Sequence, residues 1–381
     1  MASRLSDIKR VAIIHDWLTG MRGGERVLEE LLKLFPQADI FTLVYDRDRV
    51  SPLISSHQVF ESSLVKLPFA RSHFRSWLPL FPWAIESFEL KGYQLVLSSS
   101  HCVAKGAIPP PDALHVSYVH SPMRYVWDMR GEYLSGTDTT EFRRGIAGFA
   151  AHYLRNWDAS SSTRVDRFIA NSGHVRNRII KYYRRDAEVI HPPVEVDNFK
   201  PGEGKGGYFL TVSALVPYKR IDLAISACES LGRPLKIIGD GPEHSRLRSF
   251  AGKNTEFLGS IDFKDLQGIY ADALAFIHPA EEDFGIAPLE AQAAGRPVIA
   301  YGRGGALETV VASGEAPTGV FFHQPTVESL SNVIKDFNPA LFRPTDARAN
   351  AEKFAPAHFR EKISYSISEA WRRQSEGEAL R

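Results

Sequence analysis

Short apolar runs alternate with segments of helical spacing along most of the chain, and this alternation is the feature that most restricts its fold. Val11–Trp17 is a β-branched run that leads through a Gly-rich loop into Glu25–Phe35, where apolar residues recur at helical spacing. Strands that alternate with helices predict parallel sheets and an α/β fold. Further buried strands of the first half, each ending near Ser, His or Asn, are expected at 38–46, 93–100, 114–120 and 167–172.

The alternation restarts after residues 189–207, where two adjacent prolines and a Gly/Lys cluster are typical of an interdomain connection. We predict two doubly wound, Rossmann-like domains that face each other across a cleft, residues 1–197 and 198–356. An amphipathic helix at 359–374 is expected to return to the first domain, so that about 357–381 completes it. The strands expected in the second half are 208–215, 234–241, 255–260, 274–280 and 296–302.

The composition excludes several classes of function. The 381 residues, 44% of them hydrophobic, are enough for two cores. A net charge of +1 gives no indication of a nucleic-acid partner. The two cysteines, Cys102 and Cys228, form no ligand or redox spacing. Because there is neither an apolar run of about 18 residues nor an apolar leader segment, we expect a cytoplasmic protein.

The stretch from Glu281 to Ala300 carries acids at Glu282 and Glu290 on either side of a turn that contains Gly285. We expect this loop to follow a buried strand and Glu290 to lie in the first turn of the next helix, where the helix dipole favours an acid. Glycine in the turn lets backbone N–H groups approach an anion. Two interpretations stay open: a site for a ligand with a phosphate and sugar hydroxyls, or a helix-start acid beside a solvated one.

This segment resembles the signature of the retaining GT-B glycosyltransferases, the glycogen-synthase-like family 4. Other segments agree in order along nearly the whole chain, and the resemblance is greatest to bacterial mannosyltransferases that extend O-antigen and exopolysaccharide repeats. It implies a GT-B fold and transfer of a hexose from a nucleotide diphosphate sugar. The agreeing segments are HDWLTGMRGGERV, SSSHCVAKG, YVHSPMRYVWD, IANSGHVRNRI, SALVPYKRIDLAI, IIGDGPE, FLGSIDF and GRPVIAYGRGGALETV.

The resemblance also assigns roles to residues of the donor-binding half. It implies that Glu290 holds the ribose hydroxyls and that Glu282 contacts the donor sugar and takes part in catalysis. Backbone groups of the intervening turn would hold sugar or phosphate oxygens; the turn residues are Phe284, Gly285 and Ile286.

Lys219 is implied as the cation that stabilises charge on the departing diphosphate. The family usually has an arginine five residues earlier, where this chain has Ala214. Arg220 either substitutes for that arginine or is an ordinary residue of the first helical turn. Gly239 and Gly259 are implied as donor-binding positions, with base selection through backbone contacts near Gly259.

In the first half, the resemblance implies that His120 lies near the anomeric carbon. The alternative is a structural histidine at a strand end. Gly23 and Gly24 precede a helix, so their amides are candidates to face a phosphate or the acceptor, although this loop is not a dinucleotide fingerprint. Asp16 either lies near the acceptor hydroxyl or caps the next turn.

No metal or other cofactor is expected. The acids Asp46 and Asp48 are better explained as a turn than as a metal-binding pair, and we find no metal-ligand spacing elsewhere in the sequence. The resemblance implies a nucleotide sugar donor, with GDP-mannose first and UDP-glucose second, and a saccharide acceptor, typically polyprenyl-linked. Two rivals are a non-catalytic nucleotide-binding subunit of a polysaccharide assembly complex and a GT-B epimerase.

Residues 66–88 interleave basic and aromatic side chains, as membrane-interface segments do. The alternative is a buried helix pair with a solvated basic face, and prolines at 68, 79 and 82 break any long helix. A lipid-linked acceptor favours peripheral contact with the inner face of the plasma membrane.

Overall fold

The computed structural model describes residues 5–127 and 141–378, the side chains of 141–147 excepted. The chain divides into two compact units. The first unit is Met1–Pro193 with Ala357–Arg381, and the second unit is Val194–Pro356. The second unit therefore begins four residues before the domain start at 198 expected from the sequence.

The first unit contains a seven-stranded parallel sheet in the order β3-β2-β1-β4-β5-β6-β7. Its strands are β1 (Val11–His15), β2 (Asp39–Thr42), β3 (Val59–Glu61), β4 (Leu95–Ser100), β5 (Leu114–Val119), β6 (Arg167–Ala170) and β7 (Glu188–Val189). Its α-helices are α1 (Gly23–Leu34), α2 (Pro52–Ser55), α3 (Ala70–His73), α4 (Phe81–Glu86), α5 (Glu141–Ser161), α6 (Gly173–Tyr183) and the last helix of the chain, Pro356–Ser375. Its 3₁₀ turns are Leu5–Asp7, Arg47–Arg49, Ser63–Lys66, Phe74–Leu80, Ala104–Gly106 and Ser162–Arg164.

The second unit contains a six-stranded parallel sheet in the order β10-β9-β8-β11-β12-β13. Its strands are β8 (Phe209–Val212), β9 (Leu235–Ile238), β10 (Thr255–Gly259), β11 (Ala275–His278), β12 (Val298–Tyr301) and β13 (Gly319–Phe322). Its helices are α7 (Ile221–Ser230), α8 (His244–Phe250), α9 (Phe263–Asp272), α10 (Ile286–Ala293), α11 (Ala306–Thr309), α12 (Val327–Asp336) and α13 (Pro344–Glu352), so the last helix of the chain is α14. Its 3₁₀ turns are Val196–Asn198, Pro217–Lys219 and Pro339–Leu341.

These two parallel sheets confirm the predicted α/β class. Continuous apolar runs form the central strands because both faces of a parallel sheet are covered; every residue of β1 and of β11 is buried. Helix α14 contributes Phe359, Ile363 and Ile367 to the core that β1 and α1 form in the first unit. Within the described ranges, no helix has the length and apolar character to cross a membrane.

Each sheet reverses its strand order once. The reversal in the first unit lies between the neighbouring strands β1 and β4, and the reversal in the second lies between β8 and β11. Connections leave such neighbouring strands towards opposite sides, which opens a crevice at their carboxyl ends where ligands bind in open α/β sheets. The fold therefore directs attention to the residues that follow these four strands.

Candidate functional site

In the second unit, a lysine and a carboxylate meet at the carboxyl ends of β8 and β11. Lys219 ends the 3₁₀ turn after β8, and its Nζ forms an ion pair with Glu282 Oε1 from the loop after β11. Both side chains are mostly buried, with 17% and 22% of their surfaces exposed. His278, the last residue of β11, places Nε2 3.8 Å from the same carboxylate oxygen. The pair of residues singled out from the sequence is thus brought together at the strand reversal.

His278 was not identified from the sequence. Burial lowers its pKa, so the imidazole is neutral near pH 7. Its Nε2 atom is buried and has no hydrogen-bond partner among the described residues. A buried polar atom of this kind is costly when it stays unpaired, so it is available to a bound ligand.

The turn after Glu282 is fixed by backbone-to-backbone packing. Gly285 adopts φ 88° immediately before α10. A Cβ placed on Gly305 would lie 2.3 Å from Phe284 Cα, and the Gly305 N–H donates to the Glu282 carbonyl at 2.8 Å. A Cβ on Gly304 would lie 2.3 Å from that same carbonyl oxygen. Both glycines lie in the sequence segment GRGGALETV, yet their contact with this turn was not predicted.

Glu290 occupies a different helical position from the one predicted. Helix α10 begins at Ile286, so Glu290 is its fifth residue and no acid lies in the first turn. The prediction that the helix dipole favours an acid there is therefore wrong, because that effect fades beyond the terminal turn. The Glu290 carboxylate instead accepts a hydrogen bond of 2.9 Å from the hydroxyl of Tyr270, a fully buried residue of α9.

Gly239 and Gly259 lie next to each other after β9 and at the end of β10. The Gly239 N–H donates to the Gly259 carbonyl at 2.8 Å. A Cβ on Gly239 would lie 1.9 Å from the Ser213 carbonyl oxygen, which holds this turn against the end of β8. Gly259 has φ 66° and no atom within 4 Å of its Cβ position, so the space beside it is open.

The position of Arg220 favours the interpretation that it is an ordinary residue at the start of a helix. It has φ 49° at the N-cap of α7, and its Nη2 lies 3.2 Å from a carboxylate oxygen of Asp222 in the first helical turn. Ala214 is exposed after β8. Lys219, in contrast, contacts Glu282 directly.

In the first unit, two histidines are linked through a serine hydroxyl. Ser99 Oγ lies 3.1 Å from His15 Nδ1 and 2.8 Å from His120 Nε2. His15 and Ser99 are paired residues at the carboxyl ends of β1 and β4, and His120 follows β5. Burial lowers the pKa of His120 to about 3, with the nearby His101 and His15 adding to the effect. His120 is therefore neutral near pH 7, with Nε2 occupied by the serine.

The start of α1 lies against these imidazoles. Gly23 is the first residue of α1, and a Cβ on Gly24 would lie 3.4 Å from His15 Cε1 and 3.7 Å from His120 Nε2. The first N–H groups of a helix have no partner within the helix. Glu25 places Oε1 3.8 Å from His15 Nε2. Although burial acts to raise the pKa of Glu25, its contact with His15 lowers that pKa overall.

The prediction that Asp16 caps the next turn along the chain is wrong, because it caps a turn distant in sequence. Its carboxylate is fully buried and accepts four backbone N–H groups, at 2.6–2.9 Å. It caps the turn 101–104 after β4 rather than the next turn along the chain, and His101 Nδ1 lies 3.0 Å from it. Contacts with its own chain surround both oxygens, so contact with an acceptor hydroxyl is not supported.

The remaining candidates are the acids at 46 and 48 and the segment 66–88. Asp46 caps the turn Arg47–Arg49 by accepting from the Asp48 N–H at 3.3 Å, in agreement with the turn interpretation. The described residues contain no group of three or more His, Cys, Asp or Glu that could hold a metal ion. Residues 66–88 form short helical turns, with Phe74 buried and with Phe69 and Trp83 exposed to 81% and 53%. Part of this segment is therefore core and part is exposed aromatic surface, and its contact with a membrane stays a prediction.

Two family models match the chain one after the other. Glycosyltransferase Family 4 matches residues 21–198, and Glycosyl transferases group 1 matches residues 194–353. Among curated proteins, the chain is similar to the GDP-mannose-dependent monoacylated alpha-(1-6)-phosphatidylinositol monomannoside mannosyltransferase of Corynebacterium glutamicum. The identity is 38% over 138 residues, which are 32% of this chain and 35% of that protein. Matches to the first curated relatives span half or less of their length.

Solved structures resemble the chain over nearly its whole length. Sucrose-phosphate synthase from Thermosynechococcus elongatus has a TM-score of 0.69 at 18% identity, covering 95% of this chain and 98% of that one. The Anabaena protein HepE, solved in complex with UDP-glucose, has a TM-score of 0.65 at 16% identity, with coverages of 94% and 99%. At these identities the likeness shows the fold alone, and this fold confirms the predicted GT-B class.

Proposed function

We propose that this chain, which belongs to the glycosyltransferases built from these two domains, transfers a hexose from a nucleotide diphosphate sugar to a hydroxyl of a saccharide acceptor. The transfer retains the anomeric configuration, as the resemblance to family 4 implies. The departing phosphate takes the proton of the acceptor hydroxyl. The sugar–phosphate bond breaks and a glycosidic bond forms on the same face of the sugar.

The observation that carries this proposal is the ion pair of Lys219 and Glu282 beside the tight turn at Gly285. A cation held by a neighbouring carboxylate needs little reorganisation when a diphosphate leaves, which is the condition for electrostatic stabilisation of a transition state. Glu282 and the buried Nε2 of His278 offer an acceptor and a further polar group for sugar hydroxyls. The backbone of 284–286 is assigned to sugar or phosphate oxygens.

Glu290 is assigned to the ribose hydroxyls. Its carboxylate already accepts from Tyr270, which leaves further lone pairs for two vicinal hydroxyls. Gly239 and Gly259 are assigned to the nucleoside, since the space beside Gly259 is open. Arg220 has its own partner in Asp222 and is left without a role in donor binding.

His120 is assigned to the reacting sugar. Its ring is neutral near pH 7 and is held by Ser99, so it acts as a hydrogen-bonding group rather than as a charge. Its backbone carbonyl accepts from the Asn171 amide at 2.9 Å, which fixes the position of the residue. The first N–H groups of α1 at Gly23 and Gly24 are assigned to phosphate or acceptor oxygens.

For the donor we place GDP-mannose first and UDP-glucose second. The GDP-mannose-dependent relative from Corynebacterium glutamicum supports the first, and the UDP-glucose complex of HepE supports the second. The acceptor is a polyprenyl-linked saccharide of surface polysaccharide synthesis. It is reached by peripheral contact of residues 66–88 with the membrane. Lys219 supplies the cation at the diphosphate, so we expect turnover without a divalent metal.

The first experiment is a thermal-stability screen against GDP, UDP, ADP and their common sugar conjugates, with and without Mg²⁺. A ligand bound only by the native state raises the unfolding midpoint according to its concentration over its Kd. A selective shift by one nucleotide in the absence of Mg²⁺ supports the proposal and identifies the donor. Absence of any shift contradicts it.

The second experiment compares Glu282→Ala with Glu281→Ala, its exposed neighbour. We expect Glu282→Ala to lower kcat at least about 100-fold, the effect typical of losing one electrostatic contact to a transition state. Glu281→Ala is the matched control and should stay within about threefold of the parent protein. Unchanged turnover in Glu282→Ala rules out this site assignment.

One observation favours a second candidate, a non-catalytic nucleotide-binding subunit. Ala214 stands where the family usually has an arginine, so one cation at the diphosphate is missing. A protein of this kind would bind a nucleotide in the thermal screen and show no turnover with any donor. Ala214→Arg would then be expected to strengthen nucleotide binding without producing transfer.

A further inference from the structure

A cavity lined by arginines lies in the first unit, and part of its lining belongs to the segment 66–88 discussed above. Its volume is about 880 Å³, which is ample for a small saccharide ligand. Its charged lining consists of five arginines and two acids; these are Arg22, Arg47, Arg49, Arg71 and Arg75, with Asp46 and Glu61. The whole chain has a net charge of only +1, so this positive excess is local.

The positive charge of the cavity is largely uncompensated. Arg71 forms a bidentate ion pair with Glu61, with hydrogen bonds of 2.7 and 2.9 Å. Among the residues that the structure describes, the other four arginines form no ion pair. Asp46 is already engaged as a turn cap. Arginines that share a cavity repel one another, and an anion that binds among them relieves this repulsion.

The cavity lies beside the histidine pair. Arg22 directly precedes the N-terminus of α1, and the Gly24 Cβ position two residues on is 3.7 Å from His120 Nε2. From the other side, the lining residue Phe74 packs on Trp17 with ring centres 5.3 Å apart, and Trp17 packs on His101 at 4.3 Å. A ligand in the cavity therefore approaches the residue assigned to the reacting sugar.

We propose that this cavity binds a phosphate or diphosphate group of the acceptor, so that the enzyme selects acceptors whose saccharide is attached to such a group. Guanidinium groups match phosphate geometry through paired N–H donors. The proposal rests on the proposed sugar transfer and defines its acceptor class. Acceptors of this class carry the phosphate on the sugar that receives the hexose or on a lipid attached to it.

The test compares one saccharide with and without a diphosphate on a short, water-soluble alkyl chain. With the parent protein, KM for the diphosphate form should be at least about tenfold lower, the equivalent of one charge-assisted hydrogen bond. The double variant Arg47→Gln/Arg49→Gln should reduce the ratio of the two KM values to less than about threefold. The control Arg26→Gln/Arg176→Gln removes two exposed, ion-paired arginines outside the cavity and should keep the ratio. Equal KM values in the parent, or an unchanged ratio in the first double variant, overturn the proposal.

A binding experiment separates failure of this proposal from failure of the proposed function. Inorganic pyrophosphate should raise the unfolding midpoint of the parent protein and of Lys219→Gln, in which the donor site is impaired. The shift of Lys219→Gln should be lost when Arg47→Gln/Arg49→Gln is added to that variant. A pyrophosphate shift that survives in this triple variant overturns the cavity assignment, whatever the transfer assay shows.

Vesicles distinguish the acceptor's own phosphate from lipid headgroups. Vesicles of anionic phospholipid without acceptor are sedimented with each variant. If the cavity variant loses vesicle binding but keeps the parent KM for the soluble diphosphate acceptor, the arginines serve the membrane and the proposal is overturned. If the KM of the cavity variant for the soluble diphosphate acceptor rises about tenfold while its vesicle binding is unchanged, the proposal stands.

Discussion

Gly305→Ala tests whether the turn at Glu282 is held in place by backbone packing. Gly305 has φ −64° and ψ −18°, a helical conformation that alanine adopts without strain. The obstacle is space: the new Cβ would lie 2.3 Å from Phe284 Cα and 2.4 Å from the Phe284 carbonyl oxygen. An ordinary contact starts at 3.4 Å, so the turn must move by about 1.1 Å, the difference between 3.4 and 2.3 Å.

The magnitude follows from that displacement. Overpacking of this size costs about 1–3 kcal/mol of the free energy of unfolding. A shift of about 1 Å at a reacting group lowers the rate on the order of 100-fold. We therefore expect kcat/KM for transfer to fall by about that factor, because Glu282 and the 284–286 backbone move away from Lys219. Nucleotide affinity should weaken less, since Glu290 and Gly259 lie on other segments.

The assay combines denaturant unfolding, calorimetric binding of GDP or UDP, and steady-state transfer. Gly268→Ala is the matched control, because Gly268 lies within α9 with no atom within 4 Å of its Cβ position. That variant should gain about 0.4–1 kcal/mol in stability and keep its activity. Full transfer activity in a folded Gly305→Ala protein would refute the conclusion that turn position controls catalysis.

Three further predictions concern buried polar contacts. Ser99→Ala removes the hydroxyl between the two imidazoles and should lower kcat, measured by steady-state kinetics, about tenfold. Ser117→Ala is the control on the neighbouring strand and should leave kcat unchanged, because the Ser117 hydroxyl has no partner among the described residues. Tyr270→Phe removes one hydrogen bond to Glu290 and should weaken nucleotide binding about fivefold in calorimetry; unaltered affinity contradicts the ribose assignment. Burial lowers the pKa of His115 from about 6.5 in the unfolded chain to about 4 in the folded protein. Between pH 6.5 and pH 4 only the unfolded chain therefore binds the proton, so the free energy of unfolding falls as the pH drops through this range. The loss in the free energy of unfolding, measured with denaturant, approaches about 3 kcal/mol at pH 4, and His115→Gln should reduce this dependence of stability on pH.

The central strands were predictable because they are continuous apolar runs. Three edge or near-edge strands were missed, and these are short: β3 (Val59–Glu61), β7 (Glu188–Val189) and β13 (Gly319–Phe322). Their residues are mostly half-buried or exposed, so hydrophobic pattern does not mark them. Pairing with a neighbouring strand defines them, and pairing is not a local property of the sequence.

The error at Glu290 had only a partial signal in the sequence. Pro288 is the third residue of α10, and proline is tolerated in the first turn of a helix because the N–H groups there lack intrahelical partners. The observed start at Ile286 puts Glu290 in the second turn, whereas a start at Pro288 itself would have kept Glu290 in the first turn. Its partner Tyr270 carried no such signal, because it lies twenty residues earlier on another helix.

The two sites arise from the strand order more than from any single motif. The sequence indicates that polar residues follow β1, β4, β8 and β11, but local pattern does not determine which of these strand ends are neighbours. The reversal between β8 and β11 brings Lys219 to Glu282, and the reversal between β1 and β4 pairs His15 with Ser99. A parallel sheet without these reversals would keep every motif and separate the partners. The geometry that supports sugar transfer is therefore a property of the topology, and the family resemblance was informative because motifs in a fixed order report that topology.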